Sequence, residues 1–145
     1  MGETVNFSEG KYVEVLDIYT YRDGNVSYDA NKTTVAYTDG RTIIKNENNV
    51  TVYDKDEVLT VINLMERPEV GLYFSLTKAL FNKDFDFLKE NFKVKELTPK
   101  KFEFLPKDDV GKFIKKLELA LDEKQKVKVL TLKFRNGDKT KIEAK

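Results

Sequence analysis

Apolar and polar positions alternate with period two along most of this chain and switch once to a helical period, over residues 68–91. Pro68 stands where a helix can begin, because the first turn has no use for the N–H that proline lacks. Val70, Leu72, Tyr73, Leu76, Ala79 and Leu80 then recur at helical spacing, and Phe74 and Phe81 widen the stripe beyond what one ordinary face needs. Asn82 and Lys83 end this helix. Asp84 is placed to cap a second one over 84–91, whose apolar residues are Phe85, Phe87 and Leu88. So apolar a helical pair must bury its surface, and the only available partner is a concave sheet made by the rest of the chain.

The period-two regions predict that sheet. A strand over 3–8 is turned by Glu9-Gly10, and the Val-, Ile-, Leu- and Tyr-rich stretch 11–28 is too long for an ordinary flat strand. Asp23-Gly24 within it is either a two-residue hairpin turn or a bulge. Strands over 33–38, 41–45, 50–54 and 57–63 follow, divided by turns at 29–32, Asp39-Gly40, 46–49 and Lys55-Asp56. Beyond the helices, strands are predicted over 92–97, 101–105, 127–134 and 139–144, the last two joined by the hairpin signal Arg135-Asn136-Gly137-Asp138. Residues 111–122 are ambiguous. Phe113, Ile114 and Leu117 fit a helix, but the alternation from Leu117 to Asp122 decides for a strand. The expected fold is mainly β (α+β), with roughly ten or eleven strands. They form an incompletely closed antiparallel β-barrel, or a strongly curved sheet, covered by a short helical lid.

A chain of 145 residues has room for one domain with one core, and 40% apolar with 35% charged residues describes a globular rather than a disordered chain. No apolar run reaches the roughly 18 residues of a membrane-spanning helix. The net charge of +1 conceals a division. Residues 1–70 carry 7 Lys/Arg and 13 Asp/Glu, whereas residues 71–145 carry 19 and 12. The basic half lacks the interleaved aromatics and Gly-rich loops of a nucleic-acid platform, so attraction between the two halves is the expected use of the asymmetry. Met1-Gly2 directly before Glu3 leads us to expect that a leader has been removed.

Chemistry is sparse. Without cysteine there is no disulfide, thiolate nucleophile or Cys-based metal site, and without histidine the usual neutral-pH base and most zinc and iron ligand sets are missing. No Gly-rich phosphate loop and no serine elbow occur, which leaves a hydrolase without a nucleophile. Carboxylates group at Asp54/Asp56/Glu57, Asp84/Asp86 and Asp108/Asp109, where turns and helix caps account for them without a metal. Three Asn-x-Ser/Thr sequons, at Asn25, Asn31 and Asn49, each have an acidic residue two positions earlier, as some bacterial glycosylation acceptors do.

The ordered set of motifs resembles the periplasmic outer-membrane lipoprotein carriers, LolA and LolB-like proteins. Phe7-Ser8-Glu9, Gly24-Asn25-Val26-Ser27-Tyr28 and Val50-Thr51-Val52-Tyr53-Asp54 resemble three of the family's early strands. Residues 72–81 resemble its lid helix, and Phe92-Lys93-Val94 resembles its entry to the second half. Phe104-Leu105-Pro106-Lys107 and Phe134-Arg135-Asn136-Gly137-Asp138 resemble later landmarks. Departures are clear. Ala30-Asn31 replaces a family Arg-Pro pair, Ala36 falls near a family aromatic, and Asn48-Asn49 replaces an Asp-Gly turn. The family's N-terminal helix and C-terminal extension have no counterpart, so a shorter, divergent member is expected.

The resemblance implies a non-enzymatic carrier without cofactor or metal, binding acyl chains of lipoproteins or other lipids under the lid. It implies a periplasmic monomer whose partners are an inner-membrane transporter and an outer-membrane receptor, with no nucleic acid. The implied lipid-lining residues are Val26, Tyr28, Val35, Tyr37, Val50 and Val52 from the strands, with Leu72, Tyr73, Leu76 and Leu80 from the helix. Which strand face turns inward is open at this level, because a one-residue slip inverts every side chain. The alternative is a sensor or scaffold domain of the same fold, with a filled core, that binds a protein partner.

Overall fold

The computed structural model describes residues 3–145, with the side chains of Glu3, Glu14, Asp108 and Asp109 outside that description. The proposed Asp108/Asp109 cluster therefore lies outside the described residues. Six strands come first: β1 (Glu3–Val13), β2 (Ile18–Asp29), β3 (Lys32–Tyr37), β4 (Arg41–Lys45), β5 (Asn49–Asp54) and β6 (Glu57–Asn63). Helices α1 (Pro68–Phe81) and α2 (Phe85–Asn91) follow, then β7 (Phe92–Thr98), β8 (Lys101–Pro106), β9 (Ile114–Leu121), β10 (Val127–Phe134) and β11 (Lys139–Ala144). The segment read as ambiguous over 111–122 is a strand from Ile114, preceded by a short 3-10 turn.

All eleven strands belong to one antiparallel sheet in the order β6-β5-β4-β3-β2-β1-β11-β10-β9-β8-β7. The first and last strands pair with each other in mid-sheet, through Phe7–Ala144 to Tyr12–Lys139. The two edges, β6 and β7, are consecutive in sequence and are joined by the helices rather than by a ladder. The sheet is thus open, and α1–α2 occupy the concave side.

Curvature follows from reach. Strands lie about 4.8 Å apart, so the seven from β6 to β11 would span about 29 Å if flat. Yet inward residues of all seven, from Ile62 on β6 to Ile142 on β11, line one cavity of about 200 Å³ together with a single helix about 10 Å across. Register shifts in the β5–β6, β7–β8 and β9–β10 pairs add the local bends that such curling needs.

The sequence expectation fails at β1–β2. Glu9-Gly10 does not turn, and Asp23-Gly24 is neither a hairpin turn nor a bulge. β1 and β2 run as one uninterrupted ladder from Glu3–Tyr28 to Val13–Ile18, in which Gly24 faces Phe7 and Gly10 faces Tyr21. The turn lies instead at a short 3-10 segment, Glu14–Leu16, closed by Asp17 at φ 51°. Gly24 is glycine because of crowding: a Cβ there would stand 2.6 Å from the Ala36 carbonyl oxygen and 3.2 Å from the Phe7 ring. Two glycines covered by aromatic neighbours give the same sequence signal as two turns.

The helices are held at their ends. The Asp84 carboxylate accepts from the Phe87 N–H at 3.2 Å, as the spacing predicts, and the Phe85 ring packs 5.1 Å from Phe102 and 6.0 Å from Phe104 on β8. Lys83 Nζ donates to the Gln125 carbonyl at 2.6 Å, pinning the inter-helix turn to the β9–β10 loop. The acidic β1–β6 half and the basic half meet at the β1–β11 seam, where Lys145 pairs with Asp23 at 3.3 Å. No helix is long and apolar enough to cross a membrane, among the described residues.

Gly24→Ala is expected to cost about 1–3 kcal/mol, the usual penalty for overpacking. Gly71→Ala, whose Cβ would meet Leu64 only at an ordinary 3.7 Å, should gain up to about 1 kcal/mol from helix propensity. Urea midpoints of the two variants check this. A neutral Gly24→Ala would contradict the crowding explanation.

Candidate functional site

The interior is divided unequally by α1. Among the described residues, ten of the eleven largest fully buried side chains belong to residue 76 or beyond, including Leu76, Leu80, Leu88, Phe92, Phe104, Leu117, Leu130 and Leu132; Val50 alone of them comes from the first half. The side under β7–β10 is therefore filled, and there α1 packs on β10 and α2. On its other side α1 stands over a cavity of about 200 Å³ lined by β1–β6, β11 and the helix itself.

Register builds the cavity wall. Val26, Val35, Ile43 and Val52 are cross-strand neighbours on β2, β3, β4 and β5, forming one apolar row. Tyr28, Thr33, Val50 and Ile62 also face in. The helix contributes Val70, Tyr73, Phe74, Thr77 and Phe81. At 3.6 residues per turn these five lie on one side of α1, and Leu72, Leu76, Ala79 and Leu80 form a second set centred roughly 130° away around it, with Leu80 next to Tyr73 at the border. The single wide stripe seen in the sequence is two faces with two destinations.

Each residue singled out from sequence can now be placed. Val26, Tyr28, Val35, Tyr37, Val50, Val52 and Tyr73 line the cavity. Leu72 does not; it lines an adjoining groove of about 520 Å³ with Ile114 and Phe134. Leu76 and Leu80 belong to the filled side, at 1% and 0% exposure, and line neither space. Lys11, Val70 and Tyr73 border both the cavity and the groove, so they form its mouth. Sequence reasoning missed Phe7, Thr33, Ile43, Ile62, Val70, Phe74, Thr77, Phe81 and Ile142, and two charged residues, Glu9 and Lys11. Alternation through Phe7, Glu9 and Lys11 could have exposed the last two, had Glu9-Gly10 not been read as a turn.

The wall is apolar with a polar end. The Tyr37 hydroxyl donates to the buried Glu9 carboxylate at 3.1 Å, and the Arg22 guanidinium lies 4.4 Å from the Tyr37 ring centre. Tyr37 also packs edge-on against Phe7 at 6.0 Å, and Tyr28 lies 6.4 Å from Phe81. Burial pushes the hydroxyls of Tyr28, Tyr37 and Tyr73 well above the usual phenol range, and for Tyr37 and Tyr73 the nearby Glu9 charge adds to the effect. No group of three or more His, Cys, Asp or Glu side chains could hold a metal, among the described residues. Of the sequons, Asn31 is exposed on the β2–β3 turn, whereas Asn25 and Asn49 are half-buried in the sheet.

No family model matches the sequence, and no curated protein matches it. Among solved structures, the chain is similar to a LolA superfamily protein from Nitrosomonas europaea, at 10% identity over 99% of this chain and 84% of that one, with a TM-score of 0.41. It is also similar to a domain from Vibrio parahaemolyticus assigned by name to outer membrane lipoprotein sorting, at 7% identity over 97% and 82% of the two chains, with a TM-score of 0.39.

The raised tyrosines set a pH expectation. Below the free phenol value of 10.0 all three are protonated in both states, and their contribution to stability is complete. Above it the unfolded chain ionises while the folded one does not, so stability is lost as pH climbs towards the folded values. Absorbance at 295 nm should show three of the seven tyrosines ionising only together with alkaline unfolding. Independent titration of all seven in the folded protein would contradict the burial of this wall.

Proposed function

We propose that this protein is a carrier, not an enzyme, that shields an acyl chain of a lipoprotein or other lipid in the cavity between α1 and the first six strands. One observation carries the reading: a cavity of about 200 Å³ with mostly apolar walls lies between α1 and β1–β6, whereas the largest fully buried side chains, Val50 apart, stand at residue 76 or beyond among the described residues. Burial of a chain in such a space contributes about 0.8 kcal/mol per CH₂. No catalytic group, cofactor or metal is required. The residues proposed to line the chain are Val26, Tyr28, Val35, Tyr37, Val50, Val52 and Tyr73, with Leu72 at the entrance.

Opening falls to the first turns of α1. Val70, Leu72 and Tyr73 are half-buried beside the mouth, whereas Leu76, Ala79 and Leu80 are locked into the packed half. The lid therefore opens by a shift near its N-terminal end, where Gly71 has ordinary clearance from Leu64, and not by lifting the whole helix. The place of action is the periplasm, between an inner-membrane transporter and an outer-membrane receptor, with the protein as a monomer. A second reading, a scaffold or sensor domain that binds a protein, is favoured by one feature. Val15, Leu16, Ile18, Tyr19 and Tyr21 are exposed together around the β1–β2 turn.

Val35→Phe places a ring in the hollow. Binding of an environment-sensitive apolar dye, and its displacement by acylated peptide, should weaken about tenfold or more, with a stability change under about 1 kcal/mol because space is available. Leu80→Ala, on the filled side, should instead lose about 2–5 kcal/mol while the folded fraction keeps its affinity. Equal effects on binding would show that the cavity is not the ligand site. A wild-type protein that binds neither dye nor acyl chain would leave the scaffold reading.

A further inference from the structure

The outer face of the strands that wall the cavity carries a row of aromatic rings. Alternation along β1 sends Phe7, Glu9 and Lys11 to the cavity, so Ser8, Gly10 and Tyr12 point to the convex side. There Gly10 and Tyr12 stand opposite Tyr21 and Tyr19 of β2, and opposite Lys141 and Lys139 of β11. These residues border a groove of about 660 Å³ that continues over Glu143, Thr131, Lys133 and Glu118. The ring centres of Tyr12 and Tyr19 are 4.7 Å apart. Those of Tyr19 and Tyr21 are 6.2 Å apart, with planes only 11° from parallel. Tyr21 leans over Gly10, where a Cβ would stand 3.1 Å from its ring. Tyr12 is fixed by its hydroxyl, which donates to Asp17 at 2.9 Å, and by the Lys139 ammonium 5.6 Å over its ring. Tyr19 and Tyr21 are nonetheless 53% and 76% exposed. Three aromatic rings are thus held in a row in contact with water, and packing of the core accounts for none of that.

The rest of the groove is polar and nearly balanced in charge. Lys133 pairs with Glu118 at 3.4 Å, and Lys141 with Glu143 at 3.3 Å, all four partly exposed. Their outer donor and acceptor positions meet water, which a ligand hydroxyl can replace on either partner.

We propose that this groove binds a neutral, extended β-1,4-linked glycan, with sugar rings stacked on Tyr19 and Tyr21 and hydroxyls on Lys141, Glu143 and Thr131. A pyranose presents an apolar C–H face and a rim of hydroxyls that both donate and accept. The groove presents aromatic faces beside paired ammonium and carboxylate groups. The spacing of the tyrosines is comparable to the advance of such a chain per sugar, and the near-parallel rings suit a flat ribbon. Other occupants fit worse. A single-stranded nucleic acid could stack on the rings, but it would meet Glu118 and Glu143, and Lys133 and Lys141 are already neutralised. An apolar protein segment would strip water from both ion pairs. The groove lies across the sheet from the cavity, so this assignment does not depend on the carrier reading.

Cellohexaose and chitohexaose are the probes, with binding read by titration calorimetry. One or both are expected to bind, with an affinity that salt hardly changes, because no net charge is neutralised. Tyr19→Ala and Tyr21→Ala should each weaken binding about tenfold, the order expected for the loss of one stacked ring. Tyr19→Phe and Tyr21→Phe keep the rings and should keep most of the affinity. Dye binding in the cavity should be the same in all four variants, and circular dichroism verifies their folding. Absence of binding by both hexasaccharides overturns the assignment and leaves the tyrosines to a protein partner. Alanine variants that bind as the wild type does, or phenylalanine variants that lose as much as the alanine ones, overturn it as well. So does an oligothymidylate that binds more tightly than both sugars and is released by salt.

Discussion

Everything in this molecule depends on one helix having to bury apolar surface in two directions. α1 is apolar around most of its circumference, with Ser75 and Lys78 on the narrow side left to water. A helix of that kind cannot sit on a flat sheet, which covers one face only. The sheet curls instead until both flanks of the helix have partners. Leu76, Ala79 and Leu80 press into the side closed by β10 and α2, and Val70, Phe74 and Phe81 face the strands before it in sequence. Because the helix joins the two sheet edges, it also takes the place where a closing ladder would otherwise form.

The two flanks are packed differently. On the filled flank the helix is fixed by Leu80 and Leu88 at zero exposure and by the Phe85 stack on β8. On the hollow flank the same helix covers space. A cavity forfeits the dispersion contacts that a filled core would make, so the packed half must supply stability that the hollow half gives up. Rigid anchoring at one end of α1 and half-buried turns at the other place any opening next to Lys11, Val70 and Tyr73, where cavity and groove already meet.

Polarity along the cavity is graded in the same direction. The ammonium of Lys11 lies in water at the mouth, the Glu9 carboxylate sits just inside on the Tyr37 hydroxyl, and beyond it the wall is Phe7 and branched aliphatics. On the convex side the charges have a plainer role. Lys116 bridges Glu103 at 3.0 Å and Glu118 at 3.7 Å, while Lys133 reaches Glu118 at 3.4 Å, a half-exposed ladder across β8, β9 and β10 that contributes little beyond strand pairing.

The sequence by itself determined the elements. Period-two alternation placed nearly every strand, Pro68 and Asp84 opened the two helices, and Asn136-Gly137 made the last hairpin, with Gly137 at φ 94°. Those signals are local, so they survive without knowledge of partners. What only the tertiary structure decided is what stands opposite each residue. Gly24 marks a crowded ladder and not a turn, because the Ala36 carbonyl and the Phe7 ring approach from other strands. Leu76 and Tyr73 share a helical stripe in the sequence yet face a packed core and a cavity. Glu9 passed for a turn residue until β1 was seen to run straight through it. Periodicity tells which side chains share a face. It does not tell whether that face meets protein, water or a hollow, since this is set by register and curvature between segments far apart in the chain.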